Sequence, residues 1–313
     1  MERILLTGAT GFVGRNLLGD LVESGYDVYV IIRRSPGFNI KANVITLKDP
    51  ENRDWRFFSK LVSDNNIKSI IHVGAITGEK RMSWKQYYRT NVMWTKNLAL
   101  GLINGTKTHR FIFISTVGVY GTNPLKLPAD EMTQLNPDGK YHQSKVLAEK
   151  ELLRLKEFYD LNLVILRPTI MYGYWDYGFL YKISRLVKLR IFPLVGNPIV
   201  HLLDVKKASN IIKLLLKKRK ISGIYNLCDD YPVHIKQILD YLSSISGGGY
   251  IRIPGDMCKY LNKLQLQLVS TRIKLLCNSW YYDNSKIKKI LKIEFGETLN
   301  NLDKYRKWYG GAR

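Results

Sequence analysis

The chain has 313 residues, 45% of them hydrophobic, enough to bury one large α/β core or two smaller ones. No run reaches the ~18 uninterrupted apolar residues of a membrane span, and Met1-Glu2-Arg3-Ile4-Leu5-Leu6-Thr7-Gly8 meets glycine too early for a secretory leader, so a cytoplasmic globular protein is expected. The 49 Lys+Arg against 26 Asp+Glu give a net charge of +23, attractive to any polyanion, but the cations are scattered and no stacking platform or RNA motif accompanies them; nucleic acid is disfavoured as a partner.

In chain order, Arg3 to Thr7 is a short apolar run that ends in glycine, and Phe12 to Glu23 follows with apolar residues at helical spacing, which predicts strand, tight turn and helix. The turn, Thr7-Gly8-Ala9-Thr10-Gly11-Phe12-Val13-Gly14, has glycine where a backbone must bend sharply, where phosphate must approach amides, and where helix packs on strand. Its place between a strand and a helix is the context a dinucleotide site requires. Further strands are predicted at Asp27 to Ile32, Asn43 to Leu47, Ser69 to Val73, Arg110 to Ser115 and Asn162 to Leu166, separated mostly by helical stretches. Alternation at this cadence predicts a doubly wound parallel sheet of the Rossmann type. At the end of the second strand, about 20 residues after the turn, a carboxylate usually meets the adenosine ribose. Here stand Ile32, Arg33 and Arg34. Two guanidiniums suit a 2′-phosphate, so NADP is preferred to NAD, with Arg33 stacking on adenine or pointing to water as the plainer alternative.

Phe111 to Thr116 delivers two hydroxyls, Ser115 and Thr116, at a strand's carboxyl end, where ligands of such sheets sit. Tyr141-His142-Gln143-Ser144-Lys145 opens a strongly helical stretch after the turn Asn136-Pro137-Asp138-Gly139. Residues four apart share a helix face, so Tyr141 and Lys145 can enter one cleft. A phenol with a pKa of about 10 is a weak base at neutral pH, and a fixed cation beside it is expected to lower that value. Tyr141 is the candidate acid/base, Thr116 the group that holds the reacting oxygen, and Lys145 the cation, which also bonds the nicotinamide ribose.

Tyr172, Tyr174, Trp175, Tyr177, Phe179 and Tyr181 either stack on substrate or pack the cap. Gly223 to Leu227 reads as one further strand. From Tyr231 onward amphipathic helices and loops are predicted, with a turn at Ser246-Gly247-Gly248-Gly249. His72 and His201 read as hydrogen-bonded structural residues. Lys217-Lys218-Arg219-Lys220 and Lys286 to Lys289 read as solvated helix ends. Cys228, Cys258 and Cys277, odd in number and without ligand spacing, read as reduced packing thiols, and no metal site is indicated.

Together these residues resemble the extended short-chain dehydrogenase/reductase family, also called the NAD-dependent epimerase/dehydratase family. The resemblance is carried by the glycine turn, Ile71-His72-Val73-Gly74-Ala75, Asn91, Ile114 to Gly121, Tyr141 to Lys145, Leu166-Arg167-Pro168 with Met171-Tyr172-Gly173, and Val200 to Val205, and it extends through Asp283 to Lys286 and Lys307-Trp308-Tyr309. It implies a Rossmann domain over 1–170 plus about 199–228, and a smaller C-terminal α/β substrate-binding lobe over about 171–198 and 229–313. It implies Thr116, Tyr141 and Lys145 as catalytic, and a cofactor lined by Gly8, Thr10, Gly11, Phe12, Val13, Arg33, Val73, Gly74, Ala75, Asn91, Ser115, Tyr141, Lys145 and Pro168. It implies a homodimer through helices at Trp84 to Ile103 and Tyr141 to Tyr159, and a small-molecule substrate. Two departures matter: Thr46-Leu47-Lys48 lacks the acidic residue often found after the third strand, and Val195-Gly196-Asn197-Pro198 lacks the arginine that grips a nucleotide-sugar diphosphate, for which Arg185, Arg190 or Arg252 would have to substitute. Arg252-Ile253-Pro254 and the Ile32-Arg33 pair are similar to the reductase and hydroxysteroid-dehydrogenase branches. The expected activity is hydride transfer between nicotinamide and a secondary alcohol or ketone of a sugar-nucleotide or an apolar, sterol- or isoprenoid-like substrate. The alternatives are a nucleotide-sugar 4-epimerase that retains NAD and, of another class, a non-catalytic NADP-binding regulator or RNA-binding relative. Dehydration ranks lower, because Val117-Gly118 places no carboxylate beside Thr116.

Overall fold

A computed structural model describes residues 2–35, 37–77, 82–253 and 275–311. The first half alternates strands and helices, except that β3 follows β2 directly: β1 (Arg3–Thr7), α1 (Phe12–Glu23), β2 (Asp27–Ile32), β3 (Asn43–Thr46), α2 (Trp55–Asp64), β4 (Ser69–His72), α3 (Trp84–Tyr87), α4 (Trp94–Gly105), β5 (Arg110–Ile114), α5 (Gly139–Tyr159) and β6 (Leu163–Pro168). A π-helical segment, Tyr88–Met93, joins α3 to α4. Then follow β7 (Ile170–Tyr172), α6 (Phe179–Lys188), β8 (Phe192–Val195), β9 (Ile199–Val200), β10 (Leu202–Asp204), α7 (Val205–Lys217), β11 (Gly223–Leu227), β12 (Val233–His234), α8 (Ile235–Ser246), β13 (Tyr250–Ile253), α9 (Ser285–Leu291), α10 (Thr298–Asp303) and α11 (Arg306–Gly310).

Seven strands form one sheet in the order β3-β2-β1-β4-β5-β6-β11, with β1 to β6 paired in parallel. Every residue of β4, β5 and β6 is buried, because helices cover both faces, and this is why these strands read as unbroken apolar runs. The strand order reverses between β1 and β4, the point where such sheets open a crevice at their carboxyl ends. On one side of the sheet Leu5, Phe58, Leu98, Phe111, Phe113, Leu152 and Ile165 share a continuous core.

The chain divides into two compact units. One holds 1–119, 137–167 and 208–225; the other holds 120–136, 168–207 and 226–313. This division puts 120–136, 168–170, 199–207 and 226–228 with the second unit, where the sequence-based boundaries had them with the sheet. The reason is local: Ala129 bridges to Tyr282, and Glu131 accepts the Asn226 amide at 2.8 Å. The second unit is not built of helices and loops alone, because β12 pairs antiparallel with β9 and β13 parallel with β8. These strands are two to four residues long, too short to show a period of two.

Two further expectations change. Arg219 is no solvated helix end: its guanidinium donates to Glu2 at 2.5 Å, and its carbonyl accepts from the buried Arg110 at 2.9 Å. Cys228 is a buried free thiol, as expected, but Cys277 is disulfide-bonded rather than reduced. Cys258 and Pro254 lie outside the described residues.

Candidate active site

The reversal point between β1 and β4 holds a cleft of ≈ 550 Å³. Gly8, Thr10, Gly11, Phe12 and Val13 line it from the first turn, Arg33 and Arg34 from the end of β2, and Val73, Gly74 and Ala75 from the end of β4. Nine residues expected to line the cofactor therefore share one cavity. Trp94, Pro50 and Thr77, which the sequence did not point to, line it as well.

The local backbone explains the glycines. Gly8 has φ +73°, a left-handed conformation, and a Cβ there would lie 2.7 Å from the Gly74 nitrogen. A Cβ on Gly14 would lie 2.1 Å from the Gly8 carbonyl oxygen, so α1 seats against the turn only because that atom is missing. Gly11 differs, since a Cβ there would sit at a tolerable 3.4 Å from Gly8 O; the space it leaves open is on the cleft side. Gly11 also caps α1 without a side-chain hydrogen bond, and no acidic residue occupies the first turn. The first-turn amides of α1 are thus left to an external acceptor at the positive end of the helix dipole. The cradle fits the diphosphate of a dinucleotide.

Arg33 is engaged. Its guanidinium donates to Glu51 at 3.1 Å, and the Glu51 side chain is only 10% exposed. The carboxylate missing after the third strand in sequence is supplied five residues after that strand, on the 3-10 turn Pro50–Asn52. No sequence signal pointed to it, because the pairing spans 18 residues.

The strand-end hydroxyls and the start of α5 form the second half of the site. Lys145 is buried, with Nζ donating to the Ile114 carbonyl at 2.6 Å and lying 3.9 Å from the centre of the Phe113 ring. Burial brings its ammonium down to about 7, opposed by the nearby Glu149 carboxylate. Tyr141 moves the other way: burial, and then Tyr87, push its phenol up to about 12. Lys145 is not among the groups that shift it. The expected lowering of the tyrosine by the lysine is therefore absent from the protein by itself, because the ammonium is turned to the end of β5. Thr116, half-buried, accepts the Gly118 amide on its Oγ1 at 3.1 Å. Gly118 in turn packs under the His142 ring, which would collide with any Cβ placed there. His142 is bonded through Nδ1 to Asp138 at 2.7 Å, so the turn bearing Thr116 is clamped to the helix bearing Tyr141.

Behind Lys145 lies a cluster that sequence reasoning missed. Glu149, one turn further along α5, accepts from the Ser115 hydroxyl and from both Nε and Nη2 of Arg167, at 3.1 and 2.6 Å. Glu149 and Arg167 are almost fully buried, and such a pair is tolerable only with its lone pairs satisfied. The spacing from Lys145 to Glu149 was visible; the partner on β6 was not. Asn91 turns its amide to the backbone of Ile76 and to Ser144, at 2.8 to 2.9 Å, and is not among the residues lining the cleft. Ser115, Tyr141, Lys145 and Pro168 are likewise outside that lining.

The two histidines each have two partners: His72 bridges Thr7 and Thr95, and His201 bonds the Asp229 carbonyl and the Tyr282 amide. In the second unit Tyr174, Trp175, Tyr177 and Tyr181 gather round Trp308, with ring centres 5.3 to 6.2 Å from it. Among the described residues no three His, Cys, Asp or Glu converge as metal ligands, and no helix is long and apolar enough to cross a membrane.

Residues 4–228 match the model of the NAD dependent epimerase/dehydratase family. A UDP-glucose 4-epimerase of Vibrio cholerae is 30% identical over 244 residues, 76% of this chain and 69% of the relative. The N-acetyl-alpha-D-glucosaminyl-diphospho-ditrans,octacis-undecaprenol 4-epimerase of Escherichia coli O157:H7 is 24% identical over 311 residues, 91% of this chain and 88% of the relative. Among solved structures, the UDP-glucose 4-epimerase of Thermotoga maritima with UDP-glucose superposes with a TM-score of 0.79 at 20% identity, covering 98% of each chain. The UDP-glucuronic acid 4-epimerase of Bacillus cereus in complex with NAD gives 0.77 at 22% identity, covering 98% of this chain and 99% of that one.

Proposed function

The chain belongs to the NAD dependent epimerase/dehydratase family and is an NAD(P)-dependent oxidoreductase of the extended short-chain type, and from that premise we propose that it inverts a secondary alcohol of a sugar carried on a diphosphate, with NAD held between turnovers. The observation that carries this reading is the Arg33–Glu51 pair. A guanidinium already matched by its own carboxylate is poorly placed to receive a second anion, and a carboxylate at the adenosine end of the cleft disfavours a 2′-phosphate. The names of the 4-epimerase relatives supply the substrate class.

The residues that would hold the dinucleotide are Gly8, Thr10, Gly11, Phe12 and Val13 at the diphosphate, Arg33 with Glu51 at the adenosine, and Val73, Gly74 and Ala75 along the floor. Bound nicotinamide supplies the hydride acceptor and donor. The chain manages the proton. Tyr141 is the acid/base: its phenolate form would take the proton of the substrate hydroxyl as the alcohol is oxidised, and the phenol so formed would return it when the ketone is reduced; Thr116 holds the oxygen; Lys145 provides positive charge behind it, and Glu149 keeps that charge from being lost to burial. Thr116 and Tyr141 stay in register through the Gly118–His142 contact. A homodimer through α3 to α4 and α5 completes the reading.

A second reading keeps the NADP preference and with it a reductase, because Arg34 also lines the cleft and has no carboxylate partner among the described residues. Calorimetry decides between them. On the first reading NAD binds more tightly than NADP, and Glu51→Gln, which releases Arg33, narrows or reverses the gap; tighter NADP binding by the wild type, erased in Arg33→Ala, overturns it. In parallel, UDP-glucose should be converted to UDP-galactose without added cofactor, and Tyr141→Phe should lower the rate by about 10²–10⁴ while dinucleotide binding stays. Unchanged turnover in Tyr141→Phe would refute the assignment of the proton.

A further inference from the structure

The second unit carries an exposed face built on the end of α6, β8 and β13. Helix α6 ends in a left-handed cap: Arg190, at φ +61°, donates its amide to Val187 at 2.9 Å, and Ile191 donates to Leu186 at 3.0 Å. This paired closure folds the residue after the cap back on the last turn, which brings Ile191 over Leu186. The chain then enters β8, where Pro193 points to the same side as Ile191, and Ile251 of β13 stands in register with Pro193. Leu186, Ile191 and Ile251, with Leu189 beside them, form one aliphatic surface, and they are 37, 53, 52 and 64% exposed.

Cations surround it. Arg185, Lys188 and Arg190 are all exposed, and none is in an ion pair among the described residues; Arg252, the next residue along β13 from Ile251, lies on the other side of that strand, where its charge acts on Asp240. The Arg190 guanidinium is fastened to the same surface by a 3.1 Å bond to the Gly247 carbonyl. No acidic residue occurs between Asp176 and Asp204, nor between Asp240 and Ile253.

We propose that this basic, aliphatic face docks on an anionic lipid bilayer, with the four aliphatic tips entering the headgroup–acyl boundary and the arginines and lysine on lipid phosphates. Charge complementarity selects the occupant. A second copy would bring the same cations against themselves, and a nucleic acid has phosphates for the cations but no use for branched aliphatic tips, since it rewards flat stacking surfaces. The inference rests on none of the catalytic assignments.

The test is co-sedimentation of the full chain with large vesicles, either pure phosphatidylcholine or equimolar phosphatidylcholine and phosphatidylglycerol. The wild type should partition onto the anionic vesicles and not the neutral ones. Leu186→Ser/Leu189→Ser/Ile191→Ser should lose about tenfold or more of that partitioning with its dinucleotide affinity retained, and Lys188→Gln should lose about fivefold. Equal partitioning of the triple variant and the wild type overturns the proposal, because binding would then come from diffuse charge. So does loss of homopolymer RNA retention by the triple variant, with no vesicle binding by the wild type, which would make the face a nucleic-acid surface, or a wild-type dimer that the triple variant turns into monomers, which would make it an interface between copies.

Discussion

Lys145 and Tyr141 show how burial acts on neighbours of opposite charge type. Removing water disfavours whichever form is charged, so the ammonium falls to about 7 while the phenol rises to about 12. The lysine has a measurable consequence for stability. In the unfolded chain it titrates near 10.4, so between about pH 7 and 10 the unfolded state binds more protons, and stability rises with pH across that window. Melting temperatures of the nucleotide-stripped protein should climb from pH 7 to 10, and Lys145→Met should flatten the climb while abolishing turnover; an unaltered slope would mean that the lysine is solvated. Asp229 behaves in the mirror sense. Burial raises its carboxyl to about 7, against the hydrogen bonds from Tyr172, Thr298 and the Asp204 amide. Its stabilising contribution is full below about pH 4 and lost as pH rises to 7. The paired partners of Glu149 are of another kind: Glu149→Gln leaves Arg167 buried without its countercharge, a loss of about 3–5 kcal/mol to be read from urea unfolding.

At the scale of elements, close approach is set by residues that lack side chains. α4 lies so near α2 that a Cβ on Gly101 would stand 2.4 Å from the Phe58 Cβ, and one on Gly105 would stand 2.7 Å from the Ser59 carbonyl oxygen. Gly101→Ala should therefore destabilise by about 1–3 kcal/mol, despite the better helix propensity of alanine, because overpacking outweighs it. Gly14→Ala should do the same and also weaken dinucleotide binding, since the turn that α1 rests on would have to move; retention of both properties would show that the turn yields. Long elements were legible in advance for a physical reason. Phe12–Glu23 and Gly139–Tyr159 run through several helical turns, and β4 to β6 are continuous apolar runs because both faces are covered. β12 and β13 were not legible, since two to four residues hold no period.

For the whole molecule, the +23 charge had no site in the sequence because its cations are dispersed along the chain. In three dimensions part of it is internal business: Arg110, Arg167 and Arg219 serve carbonyls and carboxylates within the first unit. Leu153, Phe158 and Tyr159 of α5, Trp84 of α3 and Tyr88 of the π-helical segment that follows it are all exposed in a single chain. Light scattering should accordingly give a dimer, and Leu153→Asp/Phe158→Asp should give a monomer that still binds dinucleotide. An unchanged dimer would move the contact elsewhere.

What the sequence by itself determined are the features set by neighbours in the chain: the strand–turn–helix glycines, the alternation that makes the parallel sheet, the Tyr141–Lys145 face and the strand-end hydroxyls. Nine of the cofactor positions it singled out line one cleft. Only the tertiary structure decided which charges meet. Glu51 reaches Arg33 across 18 residues and Arg167 reaches Glu149 from another element. The reason is that local pattern follows from backbone geometry repeating every few residues, whereas an ion pair and a pKa depend on burial and on partners that only the folded chain brings together.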